Sequence, residues 1–249
     1  MPTLADRVAR VWSDAVALHA SRPPTRSSAV VAGIPVAALG LPPPWATSAH
    51  ALHRRPDPAA ISAAVGWLAR RSSSYAVFVR AGAVARLPLD ELGLAPDFEL
   101  PALAMPLPGP AGTDPGLQIA LATDPEGRAE FVAAYAGAGL GMELAGALIA
   151  AEDVADPAFG HLVGRVGDQV VGCALLRQVV GAGYVSAVAV PSAYRRRGYG
   201  SALTLAAGAL AARRGADLAV IHATGASQPL YERLGYRYVD THVALVPRR

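Results

Sequence analysis

Apolar and polar positions alternate most regularly in the second half of the chain. Asp124 followed by Pro125 predicts a helix start, because aspartate caps free backbone amides and proline fits the first turn. That helix should run to about Ala136, and others are expected over 142–151, 200–214 and 229–234. Apolar runs between turn residues predict strands over 117–122, 161–166, 169–178, 184–190, 217–223 and 236–246. This mixture favours an α+β fold built on a mixed sheet.

The first half has weaker patterns and more proline. Helices are predicted over 4–18, 57–68 and 87–94, and strands over 29–39, 75–80 and 99–107. A run rich in proline and glycine follows and reads as a semi-rigid linker. We therefore expect an N-terminal α+β subdomain at 1–107, a linker at 108–115 and a second domain at 116–249.

Composition excludes several function classes. All 22 basic residues are arginine. Without lysine the chain can form neither a P-loop nor a Schiff base. The apolar fraction of 53% is ample for a folded core.

Charge, cysteine content and hydropathy bear on the expected partners and cellular location. The net charge of +3 is small and the doublets at 54–55, 70–71 and 213–214 are scattered, so we read them as solvated surface and expect no nucleic-acid partner. Cys173 stands alone in an apolar run and reads as a buried small hydrophobe. The start of the chain does not read as a signal peptide, and the apolar runs are too short for a membrane span. A cytoplasmic protein without a membrane partner is expected.

The segment from Val188 to Ser201 carries the clearest chemistry. An apolar strand ends at Pro191, and Arg195-Arg-Arg-Gly198-Tyr-Gly200 then opens a helix. Glycines allow backbone amides to approach an anion, and the helix dipole and arginines add positive charge. The segment therefore predicts a phosphate-binding turn. A purely structural strand-to-helix turn stays open, whereas a dinucleotide fingerprint fits poorly because Leu203 stands where glycine or alanine is needed.

Two motifs resemble one family. Arg195-x-x-Gly198-x-Gly200 resembles the pyrophosphate loop of GNAT-superfamily N-acetyltransferases, and Tyr231-x-x-x-Gly235-Tyr236 resembles the Tyr-x-x-x-Gly-Phe block of that family. The order of strands and helices agrees as well. The resemblance extends from about Gly116 to the end of the chain and implies the GNAT fold there.

The resemblance also implies roles for individual residues. Tyr231 would be the general acid that protonates the CoA thiolate leaving acetyl-CoA. No metal is implied. The implied cofactor-binding residues are Val188, Ala189, Val190, Arg195, Arg196, Arg197, Gly198, Tyr199, Gly200 and Ser201.

Departures from the family pattern leave the general base open. Many members have a glutamate on the strand before the loop. Here that strand has no glutamate, and its polar side chains are those of Tyr184 and Ser186. Glu143, His222 and Asp240 are alternative bases. Thr224 lies near the place of an asparagine that is frequent in the family.

The resemblance implies an acetyl-CoA-dependent N-acetyltransferase that acts on an unknown primary amine by direct attack in a ternary complex. One alternative is a non-catalytic CoA-binding regulatory or scaffolding module. A weaker one is a nucleotide-phosphate-binding protein of another fold. The sequence is compatible with a homodimer and does not identify the acceptor.

The N-terminal half resembles a shortened, degenerate copy of the same fold. The stretch Glu91-Leu-Gly93-Leu is similar to Glu232-Arg-Leu-Gly235-Tyr. The copy lacks a pyrophosphate loop, so no cofactor is expected there. We expect it to wall the acceptor site or to support assembly.

Overall fold

The structure is a computed structural model that describes residues 2–21, 26–110 and 116–248. Helices α1 to α8 span, in chain order, Leu4–Ala20, Pro58–Ala69, Ala81–Val84, Pro125–Tyr135, Met142–Leu148, Ala151–Val154, Tyr199–Arg213 and Gln228–Arg233. Strands β1 to β11 span Ser27–Val31, Ile34–Ala38, Thr47–Ala51, Ala76–Arg80, Leu94–Pro106, Gln118–Leu121, Phe159–Val166, Gln169–Val179, Ala182–Ala189, Leu218–His222 and Arg237–Pro247. The expected α+β class is confirmed. Within the described ranges, no helix is long and apolar enough to cross a membrane.

The chain forms two compact units, each assembled from separate stretches of sequence. The predicted division into 1–107, 108–115 and 116–249 stays a prediction, and residues 111–115 of the expected linker lie outside the described ranges. Unit 1 comprises Met1–Leu103, His222–Gln228 and Tyr238–Arg249, and unit 2 comprises Ala104–Ile221 and Pro229–Arg237.

The sheet of unit 1 has the order β1-β2-β3-β4-β11-β5. Its first three strands are antiparallel, β3 and β4 run parallel, and β11 is antiparallel to β4. Helix α2 connects the two parallel strands, and Asp57 caps it by accepting a hydrogen bond from the amide of Ala59 at 3.0 Å. A strand from the end of the chain therefore completes the N-terminal sheet.

Both faces of this sheet carry buried side chains. Ile61 and Leu68 of α2 belong to a core cluster that also contains Val77 of β4. The neighbouring Phe78 contacts Trp12 of α1, with ring centroids 4.7 Å apart. Since successive strand residues point to opposite faces, α1 and α2 cover opposite sides of β4.

The sheet of unit 2 has the order β10-β9-β8-β7-β6. Only β9 and β10 are parallel among these pairs, and α7 connects them. A Cβ at Gly183 would lie 2.5 Å from the Cβ of Ala211. Glycine on β9 thus allows α7 to pack directly on the sheet.

Two expectations for the first half were wrong in detail, and one strand was not expected. The single strand expected over 29–39 is the hairpin β1–β2, because Ala32 and Gly33 adopt φ of 48° and 81° and reverse the chain. The helix expected over 87–94 is a series of turns, in which the amide of Leu94 donates to the carbonyl of Leu89. Strand β3 was missed because its buried Thr47, Ser48 and His50 do not give an apolar pattern.

Candidate functional site

Strand β9 separates from β10 at one end of their ladder. The two strands pair from Ala182 opposite Leu218 to Val185 opposite Ile221, whereas β9 continues to Ala189. Ala187 has a φ of 49°, and the register with β8 shifts at the same level, which marks a β-bulge. Beyond Val185, β9 therefore offers an unpaired edge to which an extended ligand could add hydrogen bonds.

The residues expected to hold the pantetheine arm lie at this edge. Val188 and Ala189 end β9, and Val190 follows it. Ala189 is buried and the two valines are half-buried. The thiol of buried Cys173 donates to the carbonyl of Ala187 at 3.6 Å, and burial raises the pKa of this thiol. Cys173 thus helps to hold the bulge.

The loop after β9 turns the chain directly into α7. Arg196 and Gly198 adopt left-handed φ of 61° and 84°, and Gly198 is the N-cap. No side chain caps the first turn of α7. The first amides of a helix have no intrahelical acceptor and lie at the positive end of its dipole. This helix start can accept an anion.

The three loop arginines occupy different positions. Arg195 donates from Nε to the carbonyl of Val190 at 3.0 Å and from a terminal nitrogen to the carbonyl of Ala138 at 3.3 Å. Its side chain therefore braces the loop. Arg196 and Arg197 are exposed, and Arg197 makes a long contact of 3.5 Å with the carbonyl of Ala193.

The remaining predicted loop residues contribute mainly backbone. Tyr199 is buried, so its ring packs in the interior. A Cβ at Gly200 would lie 3.8 Å from Val190, which is ordinary contact, and the Gly200 carbonyl accepts from the hydroxyl of Thr204 at 2.7 Å. Ser201 is half-buried in the first turn of α7.

A glycine-rich segment that sequence reasoning missed supports the loop from outside. The turn Ala136–Leu140 joins α4 to α5, and a Cβ at Gly137 would lie 3.3 Å from the ring of Pro191. Gly139 and Gly141 adopt φ of 120° and 83°. The signal was present in the sequence as three glycines at alternate positions.

Tyr231 lies in α8, and its side chain is buried. Its ring centroid is 6.1 Å from that of Tyr236, whose amide donates to the Tyr231 carbonyl at 3.1 Å. Burial raises the pKa of Tyr184 on β9 to about 12, and the neighbouring Tyr231 and Tyr135 add to this rise while Arg177 opposes it. The Tyr184 phenol thus stays protonated at neutral pH beside Tyr231.

Arg177 is the second feature that sequence reasoning missed. It lies on β8, with its guanidinium 5.1 Å from the ring of Tyr184, and donates to the hydroxyl of Ser186 at 2.8 Å. Ser186 is the first residue of β9 beyond the ladder with β10. A lone charged residue in an apolar strand was the available signal. This pair can stabilise a partly negative oxygen, but it is not a base.

The structure does not bring the three candidate bases together. Glu143 is exposed on α5. His222 contacts His242, with 2.9 Å between their ring nitrogens, and burial lowers the pKa of His222 well below its usual range. Asp240 lies 3.5 Å from the Nε of Arg80 and accepts from the amide of Thr241.

Thr224 and the metal-ligating residue types take no part in this arrangement of β9, the loop and Tyr231. Thr224 forms a local turn in which its amide donates to the hydroxyl of Ser227 at 2.9 Å. Across the residues that the structure describes, no group of three or more His, Cys, Asp or Glu is placed to hold a metal ion.

Comparisons with known proteins address the family and the fold. Residues 140–236 match the model of the Acetyltransferase (GNAT) family. A GCN5-related N-acetyltransferase from Kribbella flavida aligns with 20% identity and a TM-score of 0.74, covering 100% of this chain and 97% of that chain. One from Sphaerobacter thermophilus aligns with 21% identity and a TM-score of 0.58, covering 75% of this chain and 66% of that chain.

A tandem GNAT protein from the clavulanic acid biosynthesis pathway, without acetyl-CoA, aligns with 14% identity and a TM-score of 0.57. That alignment covers 99% of this chain and 97% of the other. No curated protein sequence matches the chain. At these identities the structural neighbours show the fold, and they show it over the whole chain.

The family match spans the end of β9, the loop that opens α7, and Tyr231. The resemblance found in the two motifs is therefore confirmed. Residues 140–236 of this chain belong to the GNAT family of acetyltransferases.

Proposed function

We propose that this chain is an acetyl-CoA-dependent N-acetyltransferase that transfers an acetyl group to a primary amine by direct attack in a ternary complex. The observation that carries the proposal is the separation of β9 from β10 after Val185, immediately before the loop that opens α7 at Gly198. The first feature suits an extended amide-containing arm and the second suits a pyrophosphate. Acetyl-CoA contains both groups.

In this proposal the donor lies along the end of β9. Backbone groups of Val188, Ala189 and Val190 bind the pantetheine arm. The amides of Gly198, Tyr199, Gly200 and Ser201 bind the pyrophosphate, while Arg196 and Arg197 add charge and Arg195 holds the loop in place.

The transfer step needs a neutral amine, a polarised thioester and a protonated leaving group. The amine attacks the thioester carbonyl carbon, so that a C–N bond forms and the C–S bond breaks. A β9 amide donates to the carbonyl oxygen, and the phenol of Tyr231 gives its proton to the CoA thiolate. The proton lost by the amine passes to water, because we assign no base.

One observation favours the alternative of a CoA-binding module without turnover. The polar side chains of β9 are Tyr184 and Ser186, and the strand has no carboxylate. Ser186 accepts a hydrogen bond from Arg177, which cannot remove a proton from an amine.

Replacement of Tyr231 separates the two functions. The full chain is incubated with acetyl-CoA and a panel of small amines, peptides with free N-termini and lysine peptides, while free CoA and acetylated product are measured. Tyr231→Phe should lower kcat by roughly 10²–10⁴-fold and leave acetyl-CoA affinity unchanged, because a general acid acts in the reaction step.

Tyr238→Phe is the matched control, because this exposed tyrosine loses its hydroxyl outside the site. Unchanged turnover in Tyr231→Phe would refute its role as the acid. Acetyl-CoA binding without turnover on any amine would favour the module.

We further propose that the first half is a degenerate copy of the second. In both units three antiparallel strands precede a helix and a parallel strand: β1-β2-β3, α2 and β4 correspond to β7-β8-β9, α7 and β10. The coverage of the tandem GNAT protein supports this view. In unit 1, however, β3 stays paired to its last residue, Ala51 opposite Val79. No CoA is therefore assigned to unit 1.

A further inference from the structure

Unit 1 contains a cavity of about 830 Å³ that the proposed transfer does not use. Its volume lies within the range of small-molecule sites, roughly 300–1,000 Å³. The wall is formed by one side of α1, the start of β2, the loop between β3 and α2, and Arg80 at the end of β4.

Arg80 gives this cavity a fixed wall. Its side chain is 8% exposed, and Nε donates to the carbonyl of Leu52 at 2.6 Å. A terminal nitrogen donates to Asp6 of α1 at 2.7 Å, and Asp240 lies 3.5 Å from Nε. One buried guanidinium thus ties the loop, the helix and the last strand together, and two carboxylates offset its charge.

The remaining charge in the wall is positive. Arg10 and Asp14 lie one turn apart on α1, and both line the cavity. Burial raises the pKa of the Asp14 carboxyl, and the charge of Arg10 opposes this rise. Arg54 and Arg55 are exposed, and neither has a carboxylate partner among the residues that the structure describes. With Asp240 included, four arginines face three carboxylates here, and the excess positive charge lies at Arg54 and Arg55, where it would attract an anion.

A buried imidazole adds a polar group to the same wall. His50 lines the cavity and is 3% exposed, with its Nε2 at 3.3 Å from the hydroxyl of Ser48. Its Nδ1 has no hydrogen-bond partner within the described part of the chain. Trp12 packs on the same ring at 4.5 Å and holds it in place.

We infer that this cavity binds a small organic anion that carries carboxylate or phosphate groups. The anion pairs with the guanidinium groups of Arg54 and Arg55, in the loop between β3 and α2. By the internal correspondence, this loop occupies the place of the Arg195–Gly200 loop of unit 2. It has lost the glycines and kept the arginines, so the site accepts a small anion and not the pantetheine arm of CoA.

Calorimetric titration of the full chain with citrate and, separately, with inorganic phosphate at constant ionic strength tests this inference. We expect saturable binding of at least one anion, and the comparison decides between carboxylate and phosphate. Arg54→Ala combined with Arg55→Ala should weaken that binding at least tenfold. The matched control combines Arg70→Ala with Arg86→Ala, two exposed arginines of unit 1 outside the cavity wall, and should bind like the wild type.

Two results would overturn the inference: no saturable binding of either anion at 10 mM, or equal loss of binding in both double variants, which would indicate general charge attraction. Acetyl-CoA affinity is measured on the same proteins. It should be unchanged in both double variants, so that failure of the anion site is distinct from failure of the proposed transferase function.

Discussion

Val185 is the last residue of β9 that pairs with β10, and its partner is Ile221. In unit 1 the corresponding parallel pair stays closed to the end of β3, where Ala51 pairs with Val79. An open strand edge beside a helix start suits acetyl-CoA, whereas a closed ladder gives no place for the pantetheine arm. This difference is the structural basis for assigning the acetyl donor to unit 2.

Gly198 should be needed for donor binding. Its φ of 84° lies in the left-handed region, where a side chain costs roughly 1–2 kcal/mol. Gly198→Ala should therefore disturb the loop and raise the Kd for acetyl-CoA about tenfold, since 1.4 kcal/mol corresponds to a factor of ten. Isothermal titration calorimetry measures this change.

Gly146→Ala is the control for that variant, because a Cβ there meets no atom within 4 Å. It should bind acetyl-CoA like the wild type. Equal affinity in Gly198→Ala would mean that the conformation of this loop does not matter for the donor.

Arg195 should act by holding the loop. Its guanidinium joins the carbonyls of Val190 and Ala138, and a lysine ammonium does not reproduce this planar fork. Arg195→Ala and Arg195→Lys should both raise the Kd for acetyl-CoA, by roughly three- to tenfold. If Arg195→Lys instead bound acetyl-CoA with the affinity of the wild type, only the positive charge at this position would matter. Arg213→Ala, which removes an exposed charge at the other end of α7, should have no effect.

The parts of the site that sequence could predict are those formed by consecutive residues. Gly198 at the start of α7 and Tyr231 in α8 belong to short sequence motifs, so the helices that carry them could be predicted from neighbouring residues. The contact between Arg177 and Ser186 joins two strands, and it depends on a register that no local pattern fixes.

The same limit applies to the fold. A final strand over 236–246 was expected, and β11 is found at Arg237–Pro247. Nothing in its sequence indicates that Leu245 pairs with Val77 of the first half. Strand pairing between distant segments is decided by packing in the folded chain, not by local propensity.

Removal of β11 should therefore unfold unit 1. The strand lies between β4 and β5, and its Val243 and Leu245 belong to the core cluster of that unit. A chain that ends at Arg237 should lose the cooperative unfolding transition seen by tryptophan fluorescence, because Trp12, Trp45 and Trp67 all lie in unit 1. An unchanged transition would contradict the placement of β11.

Unit 1 should lose stability in acid. Burial, with His242 nearby, lowers the pKa of His50 from 6.5 to about 3, and burial with Arg80 nearby lowers that of His242 to about 3. The unfolded chain binds these protons below pH 6.5, while the folded unit does so only near pH 3. The contribution of these histidines to the free energy of unfolding is therefore fully present above pH 6.5. It falls as the pH drops toward 3, by about 1.4 kcal/mol per pH unit for each histidine.

Urea unfolding followed by tryptophan fluorescence between pH 7 and pH 4 measures this loss. His50→Phe keeps an aromatic ring beside Trp12 and removes one titrating group, so its stability should fall less steeply with decreasing pH. An equal slope in His50→Phe and the wild type would show that His50 is not buried in the neutral form.

Calorimetric titration of the full chain with acetyl-CoA, with ATP and NAD as controls, tests most directly whether unit 2 binds the acetyl donor. We expect saturable binding of one acetyl-CoA per chain and much weaker binding of the two controls. A matching thermal shift should follow, since ligand at about 100 times its Kd adds roughly 2.7 kcal/mol of stability. Absence of binding at millimolar acetyl-CoA, or equal affinity for ATP and NAD, would contradict the assignment of the acetyl donor to the end of β9 and the start of α7.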